Sequence, residues 1–216
     1  VPYETQAYAL MALYGNHDGG ERAARRLAGW EELPRGGRPV QVDGWYPPKG
    51  VPAAAAVELQ AAGGPHLLVS LNDGFLSAFT ADGGLLWRYD YTQGKPIMFA
   101  AEPTVADLNQ DGSPEVVFTT FGDPGTTDSG RLVILAADGA ALHDVALAGA
   151  GHNGNGNGAP AAATIADLDG DGQLEIFVQT FDHGLDVYTV PGSGDDCRPW
   201  PTARGGPLRT GRPTAN

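Results

Sequence analysis

Short apolar runs broken by Gly, Asp and Pro recur along most of the chain. Leu67–Ser70, Val116–Thr120 and Ile176–Thr180 are apolar stretches with β-branched or aromatic members, each bounded by turn residues and each of strand length. Phe75–Thr80, Arg131–Ala136 and Leu185–Val190 alternate apolar and polar positions, the period of a strand with one buried face. Asp-Gly pairs at 73–74, 82–83 and 138–139 mark hairpin turns, where the backbone needs residues that accept positive φ. Two segments depart from this pattern. Glu21–Leu33 places Ala24, Leu27 and Trp30 on one helical face with Arg22, Arg25 and Arg26 elsewhere, which predicts a short N-terminal helix. His152–Gly158 is a Gly/Asn run that reads as a flexible connection.

The strands come in repeated sets. Residues 106–118 read ADLNQDGSPEVVF and residues 166–178 read ADLDGDGQLEIFV, with Asp107 and Asp167 separated by 60 positions. A turn and a second strand-like stretch follow each, GRLVILAADG and HGLDVYTVPG. Upstream, VELQAAGGPHLLV at 57–69 repeats the order when Glu58 is laid on Asp107, 49 positions apart. Units of this length with several strands predict an all-β fold of propeller-like blades, each a four-stranded antiparallel sheet. Only three units are recognisable, whereas a closed propeller has about 4–8 blades. The expectation is therefore a partial propeller over 51–196, preceded by a partly helical segment over 1–50 and followed by a tail over 197–216. Residues 1–50, another protein chain or further copies of this chain would complete it.

The repeated loops carry chemistry. Calcium takes six to eight hard oxygens, several of them charged. Asp167, Asp169, Asp171 and Glu175 offer carboxylates, with the Gln173 carbonyl as a fifth ligand. In the other loop Asp107, Asn109, Asp111 and Glu115 take those places, with the Ser113 carbonyl. Gly172 lets the chain turn sharply after the third acid. An EF-hand would need an acid at the twelfth loop position. Val178 and Phe118 stand there, and strand-like sequence follows, so that reading fails. Gln60, Ala62 and His66 replace Asn109, Asp111 and Glu115 in the upstream copy, which reads as a unit whose metal site is lost. Two calcium ions are expected.

The Asp-Leu-Asp-Gly-Asp-Gly loop before an apolar strand, with Asp-Gly and aromatic positions in the next hairpin, resembles the FG-GAP/VCBS repeat family over about residues 40–200. Asp43-Gly44-Trp45, shortly before Pro47-Pro48, looks like the lead into such a blade, and PWPTARGGPLRTG looks like the tail that often closes bacterial members. The resemblance implies an extracellular β-propeller that uses calcium for structure.

Composition narrows the function. Of 26 acids, seven lie in the two loops, and the formal net charge of -13 argues against a nucleic-acid backbone as partner. No apolar run is long enough to span a membrane. Val1 is not a start methionine and no signal peptide follows, so the chain reads as a mature product or a fragment. Cys197 is the single cysteine and can form neither an internal disulfide nor a zinc site alone. There is no G-x-S-x-G, no H-E-x-x-H and no phosphate-binding glycine loop, and His17, His66, His143, His152 and His183 are scattered. From Cys197 onward there are four Arg and no acid, a basic tail that could dock on the acidic body or on a neighbour. The expected function is a secreted or cell-surface, calcium-stabilised module for binding or extracellular assembly, non-catalytic. Its partner is a protein chain, with a glycan as another ligand class. The alternative is a propeller-type polysaccharide lyase or a fragment of one, since such enzymes carry similar loops with Glu at the ninth position, as Glu115 and Glu175 are here.

Overall fold

The computed structural model describes residues 7–8, 11–14, 23–26, 38–39, 54–59, 64–70, 74–81, 84–94, 98–122, 130–147, 157–181, 183–195 and 198–208. Every regular element among them is a strand, and every pairing is antiparallel.

Four short strands come first: β1 (Ala7–Tyr8), β2 (Met11–Tyr14), β3 (Ala23–Arg26) and β4 (Arg38–Pro39), with β1 on β4 and β2 on β3. The helix expected over Glu21–Leu33 is not supported: Ala23–Arg26 pairs with Met11–Tyr14 instead. The helical signal there was three apolar residues at the right spacing, a weak local preference. A partner strand some ten residues away overrides it and is invisible to local periodicity. The rest of that segment, Asp43–Trp45 and Cys197 lie outside the described residues.

Three larger sheets follow. Sheet 1 has the order β5 (Ala54–Val57), β6 (His66–Ser70), β7 (Phe75–Phe79), β8 (Leu85–Asp90), an up-and-down meander. Sheet 2 is built the same way from β10 (Thr104–Ala106), β11 (Glu115–Gly122), β12 (Arg131–Leu135) and β13 (Ala141–Ala146). Sheet 3 has three strands, β15 (Thr164–Ala166), β16 (Leu174–Thr180) and β17 (Gly184–Val190). Between them, β9 (Met98–Ala100) and β14 (Asn157–Gly158) both pair with the far end of β11. Part of the expected flexible Gly/Asn connection is thus tied to a sheet.

Sheets 1 and 2 repeat each other bond by bond. The register shifts between Ala78 and Phe79 in one and between Ile134 and Leu135 in the other, 56 positions on. Thr80 N–H donates to Gly84 O, and Ala136 N–H to Ala140 O, both at 2.8 Å. Tyr91 to Gly74 and Leu147 to Gly130 close the far ends in the same way. This is the repeat read from the sequence, now seen in backbone geometry.

The sheets pack through alternate residues of the middle one. Val116, Phe118, Val133 and Leu135 of sheet 2 join Leu68, Leu76 and Ala78 of sheet 1 in one core. Val117 and Leu132, on the opposite face, join Ile165, Leu174, Ile176 and Val178 of sheet 3 in a second. Tyr89 and Tyr91 set their rings edge-on to Phe118, at 6.0 and 6.5 Å. Polar contacts add to this core: Trp87 Nε1 donates to Ala137 O at 2.9 Å, and Gln93 reaches Asp144, which also pairs with Arg131.

The C-terminal segment joins the first strands of sheets 2 and 3. Val105 of β10 and Trp200 exchange both backbone hydrogen bonds, at 2.8 and 3.0 Å, and Ile165 of β15 donates to Pro201 O at 2.8 Å. Trp200 is buried in the first core, and Glu102 accepts from Trp200 Nε1 and from Arg204 N–H. This segment is held by an indole and backbone groups, while Arg198 pairs locally with Asp195.

Candidate metal centre

Both acidic loops are hairpin connections at matching places. One joins β10 to β11 and the other joins β15 to β16, with Ala106 opposite Glu115 and Ala166 opposite Glu175. Sequence dictates their shape in three ways. Gly112 and Gly172 take φ of 85° and 87°, which lets each loop reverse at its sixth residue. The fourth residues, Gln110 and Gly170, also sit at positive φ, 61° and 79°. The acids then cap the turning backbone. Asp107 accepts from Asp111 and Gly112 N–H, and Asp167 from Gly170 and Gly172 N–H, at 2.8–3.2 Å.

The glutamate at the strand start reaches back across the hairpin. Leu108 N–H donates to Glu115 Oε2 at 2.7 Å, and Leu168 N–H to Glu175 Oε2 at 2.9 Å. Both glutamates are buried. Burial pushes the Glu115 carboxyl above the usual range; the bond from Leu108 pulls it back, while Asp111 and Asp107 push it further up. A cation beside Glu115 would favour its charged form.

In the second loop one oxygen from each of Asp167, Asp169 and Glu175 lies within 4.8 Å of the others. Calcium–oxygen distances are about 2.3–2.6 Å, so oxygens at such separations can share one ion. These three residues fit a divalent cation. Asp171 is not in that group: Oδ1 accepts Gln173 N–H and Oδ2 accepts Gln173 Nε2.

The first loop differs at one residue. Asn109 Nδ2 donates to Asp111 Oδ2 at 3.0 Å and to Glu115 Oε1 at 3.2 Å. An amide N–H₂ cannot ligate a cation, so ligation by Asn109 requires its Oδ1, which accepts from Asp111 N–H at 2.9 Å. Ser113 N–H is held by Asp111 Oδ1, as Gln173 N–H is by Asp171.

The upstream copy keeps the architecture without the acids. Val57 lies opposite His66, and Leu59 N–H donates to His66 Nδ1 at 3.2 Å. Leu59 and His66 stand 49 positions before Leu108 and Glu115. A buried imidazole has thus taken over the carboxylate's hydrogen bond. The sequence held the signal, a leucine seven residues before the strand-start side chain in all three copies, but only the geometry gives it meaning.

Residues 107–178, which hold both acidic loops, match the family described as FG-GAP-like repeat. No curated protein and no solved structure gives a significant match.

Proposed function

Because residues 107–178 carry an FG-GAP-like repeat, we propose that the chain is a secreted, calcium-stabilised module of β-propeller type, used for binding or extracellular assembly and not for catalysis. Asp107, Asn109, Asp111, Glu115 and the Ser113 carbonyl would hold one ion. Asp167, Asp169, Asp171, Glu175 and the Gln173 carbonyl would hold the other. The observation that carries this reading is the placement of two equivalent acidic hairpins at equivalent register in two adjacent sheets. The four-stranded meanders support the propeller reading, since each blade of a propeller is such a sheet. The outside of a cell suits the reading, since extracellular calcium modules work at weak affinities. No helix among the described residues is long and apolar enough to cross a membrane.

The ion's part is structural. It supplies positive charge between carboxylates that otherwise repel one another, and its binding free energy adds to folding where the unfolded chain lacks the site. The protein's own residues set the loop: Asp107 and Asp167 hold the turning N–H groups, and Glu115 and Glu175 fix the return of the strand.

Calorimetric titration of chelator-treated protein tests this. Two calcium ions per chain are expected, and Asp167→Ala should remove the tighter one. No binding at millimolar calcium, or a stronger loss from Asp107→Ala, contradicts the assignment.

A further inference from the structure

The two junctions between sheets are filled differently. Where sheet 1 meets sheet 2, Trp87, Tyr89 and Tyr91 meet Phe118, Val133 and Leu135, and all six belong to the first core or pack on it. Where sheet 2 meets sheet 3, the repeat puts His143, Val145 and Leu147 in the places of the three aromatics, 56 positions on. Opposite them stand Val178, Asp186 and Tyr188: Phe118 pairs with Val133 as Val178 does with Asp186, and Val116 with Leu135 as Ile176 does with Tyr188. Leu147 and Val178 are buried, as their counterparts are. His143 is exposed, Val145 is 40% exposed, and Asp186 and Tyr188 are only partly buried, whereas Val133 and Leu135 are fully so. Close packing leaves few gaps, so smaller side chains in the places of Trp87, Tyr89 and Phe118 leave this junction open between β13 and β17. Tyr188 is larger than Leu135 but stays partly exposed, so it lines the opening without filling it.

Within it an acid stands where the repeat has a core valine. Asp186 Oδ1 lies 2.6 Å from His183 Nδ1, and His183 N–H donates to Thr180 Oγ1. Asp186 Oδ2 is buried and has no hydrogen-bond partner. The side chain as a whole is 13% exposed, so the opening reaches the carboxylate. A half-satisfied carboxylate at such a place costs stability, and Val133 shows that the place accepts an apolar residue. Local conflicts of this kind are kept at functional sites. The charge is felt nearby: burial first, and then Asp186, hold the Tyr188 hydroxyl above the usual tyrosine range. We propose that the opening between β13 and β17 takes a lysine side chain of a partner protein, with its ammonium on Asp186 Oδ2 and its alkyl stem along Val145 and the Tyr188 ring. The unpartnered acceptor calls for a donor, and a carboxylate in a chain of net charge -13 calls for a cation. One free oxygen suits an ammonium, a point charge; a guanidinium fork engages both oxygens, and His183 holds the other. Apolar walls suit the stem, and a tyrosine ring attracts a cation near its face. This deepens the binding role proposed above and rests on that reading, but it does not pass through calcium.

Titration of the calcium-loaded chain with Nα-acetyl-lysine methylamide, followed by NMR at Val145 and Tyr188, tests this. Saturable shifts are expected at both residues. The uncharged norleucine analogue should give none, and the arginine analogue should bind at least about tenfold more weakly. Asp186→Asn should weaken lysine binding at least about tenfold. Val145→Tyr, which restores the aromatic that Tyr89 supplies at the other junction, should abolish binding without lowering the melting temperature. Asp186→Val should abolish binding and raise the melting temperature. No saturable shift, or binding that survives Asp186→Val, overturns the proposal. A lower melting temperature in Asp186→Val also overturns it, since the acid would then serve the hairpin through His183. Equal binding of the arginine analogue overturns the choice of an ammonium. Calcium-induced stabilisation, followed on the same samples, reports separately on the proposed function: its absence with lysine binding intact would reject the calcium reading alone.

Discussion

Asn109 and Asp169 occupy the same loop position and make the two loops chemically unlike. In the first loop an amide bridges two acids, Asp111 and Glu115, doing with two N–H groups part of what a cation would do. In the second, Asp169 joins Asp167 and Glu175 with no such donor between them. The first loop should hold its shape without an ion, and the second should depend on one. Asn109→Asp removes both donors and adds a carboxylate. Hydrogen bonds to charged groups are worth about 1.5–3 kcal/mol, so the calcium-free protein should lose on that order of stability. Calcium affinity at the first loop should rise about tenfold or more, since ligand charge tunes it. Titration and melting in chelator check both parts; unchanged affinity would show that Asn109 does not set the difference. The loop residues were legible because their spacing repeats. The direction of Asn109 was not, since the sequence offers its amide as an oxygen donor or a nitrogen donor alike. Asp171 was legible as an acid of the loop, but not its engagement by Gln173.

Hairpins were readable for the same reason that they form: alternation, turn residues and contacts close in sequence. What the sequence hid was long-range. Trp200 pairs with Val105 across most of the chain's second half, and β9 and β14 share the far end of β11. The predicted N-terminal helix failed where β3 found β2. Trp200 fills the first core and bonds Glu102, so Trp200→Ala should cost about 3–5 kcal/mol, the usual range for deleting a large buried ring. Denaturant unfolding measures this; a loss below 1 kcal/mol would mean the C-terminal segment only rests on the sheets. Gly130 makes a second point of sensitivity. A Cβ there would lie 2.2 Å from the Gly158 Cα and 2.4 Å from Thr120 O, all backbone. Gly130→Ala should therefore destabilise by about 3 kcal/mol or more, as overpacking against atoms that cannot move aside does. Wild-type stability in that variant would contradict the close approach of Gly130 to Gly158 and Thr120.

At the scale of the molecule, three sheets are joined by two apolar cores, by the Trp87 and Gln93 contacts between sheets 1 and 2, and by backbone bonds from Trp200 and Pro201 to β10 and β15. Seven acids are concentrated at two hairpins beside those cores, within a chain of net charge -13. Calcium, if it binds there, acts on both: it neutralises local repulsion and fixes the entry to the central strand of sheets 2 and 3. The most direct test is the melting temperature of the chain in millimolar calcium and in excess chelator, at fixed ionic strength. A site filled to a hundred times its dissociation constant adds about 2.7 kcal/mol. For a chain of this size that is about 5–10 °C, so chelation should lower the melting temperature by at least that much. Equal melting temperatures in the two conditions would contradict a calcium-stabilised fold.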